Sequence, residues 1–205
     1  MVKDSKKMYN YILEYLLNGF YGLGFDGAMQ YIADNYLLAE GCESQNKEDY
    51  LKNKLANLKK YKIGNIVPDI HLENAVKTSV KSLYELTTNY KLVVFWASDC
   101  EHCEALLPAL KTLYESKGVA EKLAVLAVSI DEKEEEWRAA ISKNNYDVWL
   151  NSCDFKGWDG TAANDYHVYG TPMIFVLNKD HKIIARPSNE AELQAVFAQE
   201  GLIGE

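Results

Sequence analysis

Most of what would mark a membrane, nucleic-acid or disulfide-scaffold protein is missing from this chain of 205 residues. No uninterrupted apolar stretch reaches the ~18 residues that cross a bilayer, so no membrane span is expected. Basic residues number 22 against 30 acidic ones, for a net charge of −8. A nucleic-acid footprint needs a basic stripe, so nucleic acid is excluded as a partner. The four cysteines, Cys42, Cys100, Cys103 and Cys153, are too few for a disulfide scaffold at this length. There is no internal repeat and no low-complexity tract. No leader is visible: the stretch 11–25 is apolar but carries Glu14 and Asn18 and lacks a small-residue cleavage site. A chain whose leader had been removed would read the same. What is present is an ordinary globular composition, 48% hydrophobic, long enough for one domain and an appendage.

One close cysteine pair and two distant singles fit a redox motif plus bystanders. The pair lies in Cys100-Glu101-His102-Cys103, after the apolar run Leu92-Val93-Val94-Phe95-Trp96. Helical spacing follows in Cys103, Leu106, Leu107, Leu110, Leu113 and Tyr114. The pattern is strand, tight turn and helix, with Cys100 at the helix N-terminus. Side chains three apart on a helix lie roughly 5–6 Å apart at Cβ, within adjustment of a disulfide. Unpaired first-turn N–H groups and the helix dipole favour a thiolate there, and such settings lower a thiol from ~8.5 into about 3.5–7.5.

Before the motif the chain reads as helical. Tyr9, Ile12, Leu13, Leu16, Leu17 and Phe20 form one apolar stripe. Asp26 is a candidate N-cap for a second helix through Ala28, Ile32 and Tyr36, closed by Gly41. Ser44 or Asn46 opens a third, with Leu51, Leu55 and Leu58 on its buried side. The expected division is residues 1–63, a helical segment, and 64–205, an α/β domain. In that domain 64–70 reads as a linker and leading strand, with Pro68 barring a central position. The run 92–96 has no alternation, as in a strand buried on both faces. The helix after the motif is expected to end at Gly118. Further strands are expected at 123–130 and at a short edge, 147–150, with a helix at 134–144 between them. A helical turn follows at 162–167, then a hairpin of 173–177 with 183–185. Asn189 and Glu192 form a capping box for the last helix. The order implies an α/β layered sheet, mostly parallel with an antiparallel end.

The segment Val93-Val94-Phe95-Trp96-Ala97-Ser98-Asp99-Cys100-Glu101-His102-Cys103, with Pro108 five residues on and Gly170-Thr171-Pro172 before the run 173–177, resembles the thioredoxin-like proteins. The variant it resembles is the TlpA/ResA-type thiol–disulfide oxidoreductase of bacterial cell envelopes. The resemblance covers roughly 64–205. It implies a thioredoxin-like central sheet flanked by helices, preceded by a small all-α segment. It implies exchange of disulfides with protein thiols and disulfides, and a donor or acceptor protein that restores the pair. It also implies the periplasm of a Gram-negative bacterium, and no cofactor beyond the Cys100–Cys103 disulfide. By the same resemblance Pro172 is cis and faces the cysteines, and Thr171 offers its backbone to a bound peptide.

Cys100 is the candidate nucleophile and Cys103 the resolving thiol. His102 lies between them, where an imidazolium would stabilise the thiolate, while Asp99, Glu101 and Glu104 oppose it; the direction of redox function stays open. Trp96 is a candidate for the substrate surface beside the motif, with core as its other reading. Two positions depart from thioredoxin itself: Asp99 stands where that protein has a tryptophan, and Val94 where it has a buried aspartate. A base for Cys103 would then be Glu104 or solvent. A peroxiredoxin reading fails on Ala97, which stands where that group has threonine. A metal-handling or redox-silent binding module is the alternative reading; it needs soft ligands near the pair, and His71, His167 and His181 have no helpful spacing, so no metal ligand is assigned.

Overall fold

The structure is a computed structural model. It describes residues 6–22, 60–75 and 78–204, with positions 28, 31, 32, 35, 36, 53, 56 and 57 between them. The chain forms two compact units, Met1–Lys60 and Tyr61–Glu205. In the first, helix α1 (Lys6–Gly22) buries Leu13 and Leu17 and leaves Tyr11, Tyr15 and Leu16 in the open. The apolar stripe is therefore only partly covered among the described residues. Ala28, Tyr31 and Ile32 are helical, as are residues 53, 56, 57 and 60. The bounds of the second and third helices, and Cys42, lie outside the described residues.

The second unit is built on five strands in the order β3-β2-β1-β4-β5. These are β1 (Tyr90–Trp96), β2 (Leu123–Ser129), β3 (Leu150–Cys153), β4 (Met173–Asn178) and β5 (Ile183–Ala185). β1 is central, and from Lys91 onward every residue of it is buried. Its side chains alternate between two cores, as the pleat requires. Leu92, Val94 and Trp96 enter one core with helices α2 (Glu101–Tyr114), α4 (Glu134–Asn144) and α6 (Glu190–Gln199), through Leu107, Trp137 and Phe197 among others. Val93 and Phe95 enter the other, with Tyr61, Leu83, Tyr166 and Phe175. Tyr61 stacks on Tyr166 with ring centroids 5.3 Å apart, so the second unit begins at Tyr61, ahead of Gly64.

Several expected boundaries move. β1 pairs parallel to β2 but antiparallel to β4, so the antiparallel half begins at the centre of the sheet and not at its edge. The expected leading strand contributes one isolated bridge, Ile66 to Lys182; Pro68 has no N–H to extend it. The helix after the motif stops at Tyr114. Gly118, at φ 82, starts a separate short helix, α3 (Val119–Lys122). A left-handed conformation there suits glycine and breaks the helix in two. The edge strand lies at Leu150–Cys153, beyond the expected 147–150. Tyr146 and Trp149 pack into the core from a 3₁₀ turn, their rings stacked 5.2 Å apart, which removes that segment from the ladder. Helix α5 (Thr161–Asp165) and the β4–β5 hairpin lie close to where the patterning puts them. Along α4 only Trp137 is fully buried; Ala140 and Ile141 are half-buried.

Candidate active site

The site grows from the carboxyl end of β1. The chain leaves the sheet at Trp96 and turns through Ala97-Ser98-Asp99, where Cys100 N–H donates to the Ala97 carbonyl at 3.3 Å. Cys100 is the N-cap of α2, in extended conformation at φ −87, ψ 105. Its Sγ accepts the Cys103 N–H at 3.1 Å, and its carbonyl accepts the N–H groups of Cys103 and Glu104. A sulfur in that place meets the positive end of the helix and an N–H it shares with the Cys100 carbonyl, both of which favour negative charge on it.

Cys100 and Cys103 form a disulfide with Cα atoms 5.2 Å apart, within the ordinary range for such bonds. The two sulfurs differ in access. Cys103 is 2% exposed and belongs to the core beneath α2, whereas Cys100 is half-buried and lines a surface groove. An incoming sulfur reaches Cys100 first.

The structure brings three of the six sequence-derived candidates, Cys100, His102 and Thr171, to this groove, with Cys103 in the core behind Cys100 and Pro172 next to Thr171. The groove is lined by Cys100, His102, Asp131, Trp158 and Thr171. A second depression on the other side of His102 is lined by Leu106, Thr171 and Pro172. Thr171 and His102 border both. The Thr171–Pro172 peptide bond is cis, and both residues are half-buried. His102 is exposed. Trp96 is different. It is 2% exposed, packed edge-on to Tyr146 at 5.8 Å, so it forms core under the motif and offers no surface to a substrate. Its side chain follows the parity of Leu92 and Val94, which point under α2.

Val94 is fully buried in the same apolar core as Cys103, and Glu104 stands exposed on the outer side of α2. Cys153 is a free, buried thiol whose Sγ donates to the Asp131 carbonyl at 3.3 Å; burial pushes it above the ordinary thiol range. On the groove rim Lys133 pairs with Glu136 at 2.7 Å, and that hydrogen bond raises the lysine.

Asp131 and Trp158 are among the groove residues that escaped the sequence reading. Asp131 ends the Ser129-Ile130-Asp131 segment just past β2, at the carboxyl end of a parallel pair, where α/β folds build sites. Trp158 is 52% exposed, in the turn Gly157–Asp159. Gly157, at φ 59, lets that turn close on the chain after β2: a Cβ there would meet Glu132 Oε1 at 2.7 Å. A tryptophan between two loop glycines was the available signal for it.

Residues 89–183 match the thioredoxin-like family model. No curated protein sequence matches the chain. Among solved structures, a thiol–disulfide oxidoreductase from Bacteroides fragilis is 28% identical, with a TM-score of 0.53 over 68% of this chain and 100% of its own. A thiol:disulfide interchange protein from a Bacteroides species is 25% identical, with a TM-score of 0.58 over 69% of this chain and 95% of its own. The thioredoxin domain of a thiol–disulfide oxidoreductase from Bacteroides vulgatus shares the fold at 24% identity, TM-score 0.60, over 68% of this chain and 97% of its own. The second unit of the chain has the thioredoxin-like fold.

Proposed function

We propose that this thioredoxin-like chain, an oxidoreductase, exchanges disulfides with protein substrates through Cys100-Glu101-His102-Cys103. The observation that carries the reading is the disulfide at the start of α2, with one sulfur in a groove and its partner in the core. In the reduced protein the Cys100 thiolate attacks a substrate disulfide. A Cys100–substrate S–S bond forms as the substrate bond breaks, and one substrate sulfur leaves as a thiolate. Cys103 then attacks Cys100 Sγ, closes the internal disulfide and releases the second substrate sulfur. Two electrons pass to the substrate; the Cys103 proton and one proton from solvent end on its two sulfurs. The same steps run backward when the disulfide form meets a dithiol.

His102, exposed beside Cys100, supplies positive charge to the thiolate when protonated. Thr171 borders the groove, where its backbone can pair with an extended substrate segment as an added strand. The partners are protein thiols and disulfides, with a separate protein as electron donor or acceptor. The setting is the cell envelope or periplasm of a Gram-negative bacterium, and the segment ahead of Tyr61 is a structural extension of the chain. The resemblance of the motif supports the partners and the setting, and the names of the solved neighbours support thiol–disulfide exchange.

The test is insulin disulfide reduction by wild type, Cys100→Ser and Cys103→Ser, with the reduction potential of the pair measured against glutathione. Cys100→Ser is expected to be inactive, and Cys103→Ser to accumulate a mixed disulfide that dithiothreitol releases. Exchange surviving in Cys100→Ser rejects Cys100 as nucleophile.

A further inference from the structure

Asp131 is a buried carboxylate, 7% exposed, at the base of the groove that holds Cys100. Its hydrogen bonds cross the sheet-end from β2 to the loop leaving β1. Ser98 N–H donates to Oδ1 at 3.1 Å and to Oδ2 at 3.2 Å, and the Ser98 hydroxyl donates to Oδ1 at 2.5 Å. The carboxylate thus grips one residue, two positions before the nucleophile, by backbone and side chain together. Asp131 is itself held from behind. The Ser129 hydroxyl bonds to Oδ2 and accepts the Asp131 N–H at 2.9 Å, and the Cys153 thiol donates to the Asp131 carbonyl. Ser129 and Cys153 are opposite one another in the β2–β3 ladder, 3% and 1% exposed. The anchor therefore rests on the rigid part of the sheet and not on a loop.

We propose that Asp131 is a positioning residue for disulfide exchange: it clamps Ser98, fixes the turn that presents Cys100 Sγ at the start of α2, and sets a negative charge on the groove wall against the Cys100 thiolate. The proposal rests on the reading of Cys100 as nucleophile. It has two separable parts. The grip orients Cys100, whose own N–H closes the Ala97–Cys100 turn around Ser98. The charge acts through space and makes the thiolate less favourable than the helix end alone would leave it. Other charges facing the same groove are Asp99, Glu101, His102, Glu132 and the Lys133–Glu136 pair. All of these but Asp131 are solvent-exposed, so water screens them more than it screens a buried carboxylate.

Asp131→Asn and Asp131→Ala separate the two parts. Asparagine keeps an acceptor for Ser98 N–H and removes the charge; alanine removes both. Ser98→Ala removes only the hydroxyl arm. Thiolate absorbance titration of the Cys103→Ser background and the potential of the intact pair are the readouts, beside the rate of attack on a small aromatic disulfide. Asp131→Asn is expected to lower the Cys100 midpoint by about half a pH unit or more and to make the pair more oxidising, with its rate near wild type when compared at equal thiolate. Asp131→Ala is expected to lower the midpoint likewise and to slow attack roughly tenfold at equal thiolate, because the turn is no longer oriented. Ser98→Ala should leave the midpoint in place and slow attack less. An unmoved midpoint and potential in a folded Asp131→Asn protein overturns the charge, and an unslowed rate in folded Asp131→Ala overturns the grip. If Asp131→Ala does not fold, an unslowed rate in Ser98→Ala decides against the grip. Should Cys100→Ser abolish exchange while neither Asp131→Asn nor Asp131→Ala changes anything, the inference falls and the function stands; exchange persisting in Cys100→Ser brings down the function itself.

Discussion

Helices α2 and α6 begin alike and to different ends. In each, the N-cap side chain accepts the N–H three residues on: Cys100 Sγ from Cys103 at 3.1 Å, and Asn189 Oδ1 from Glu192 at 3.0 Å. In each, the first turn carries two acidic residues, Glu101 and Glu104 or Glu190 and Glu192. Both helices rest on the same core. The start of α6 is a stability device: Asn189 is among the strongest capping residues, and Glu192 accepts hydrogen bonds from the Ser188 N–H and hydroxyl. The start of α2 uses sulfur, a weak acceptor when neutral. That end of the helix is left wanting a better acceptor, and a thiolate is one. A cap position ordinarily used for stability is here given over to reactivity.

The largest effects should show that the bodies of the two helices are alike. Leu107→Ala in α2 and Leu193→Ala in α6 each empty a site at most 1% exposed. Each is expected to cost about 2–5 kcal/mol in urea unfolding. A near-zero cost at either would mean that helix is not seated on the shared core. The next effect separates the starts. Asn189→Ala should cost about 1 kcal/mol, the usual value of a lost cap. Cys100→Ser, compared with the reduced wild type at a pH low enough to keep its thiol protonated, should go the other way and stabilise by a few tenths to about 1 kcal/mol, since a hydroxyl caps better than a neutral thiol. If both substitutions destabilise equally, the two starts are equivalent and the contrast fails.

The smallest effect is one of pH. The Ser188 N–H foremost, with the Ser188 hydroxyl and Asn189, holds the Glu192 carboxyl below the usual range, against partial burial. A lowered folded-state value means the stabilisation is complete above the ordinary Glu value of ~4.3 and disappears as pH falls through the folded value. Between about pH 5 and pH 3, wild type should lose slightly more stability than Glu192→Gln, by well under ~1 kcal/mol because the group is mostly in water. Parallel losses would leave the capping box without a charge component.

The features legible beforehand share a physical origin: they are local or strictly periodic. The unalternated run through Phe95 announced a strand covered on both faces, and β1 is the centre of the sheet. The Asn189–Glu192 box lies where its spacing puts it. The cysteine pair sits at the start of α2, as the strand-turn-helix pattern required. The misses come from competition between elements. Tyr146 and Trp149 have strand-like neighbours, yet the core takes both rings and the ladder starts later, at Leu150. Gly118 was read as a stop and serves as a restart. Trp96 follows the parity of Leu92 and Val94, and only the position of α2 over that face turned parity into burial.

By itself the sequence determined the chemistry that one short segment can carry: two sulfurs one turn apart, the first at a helix start after a buried strand. It also determined most of the strands, because apolar patterning along a chain needs no knowledge of what lies across from it. Only the tertiary structure decided that Trp96 belongs to the core, and that Asp131, 33 residues from Ser98, grips the loop before Cys100. Those outcomes depend on which strands lie side by side. A hydrogen bond between the ends of neighbouring strands has no period and no spacing in the chain that would reveal it.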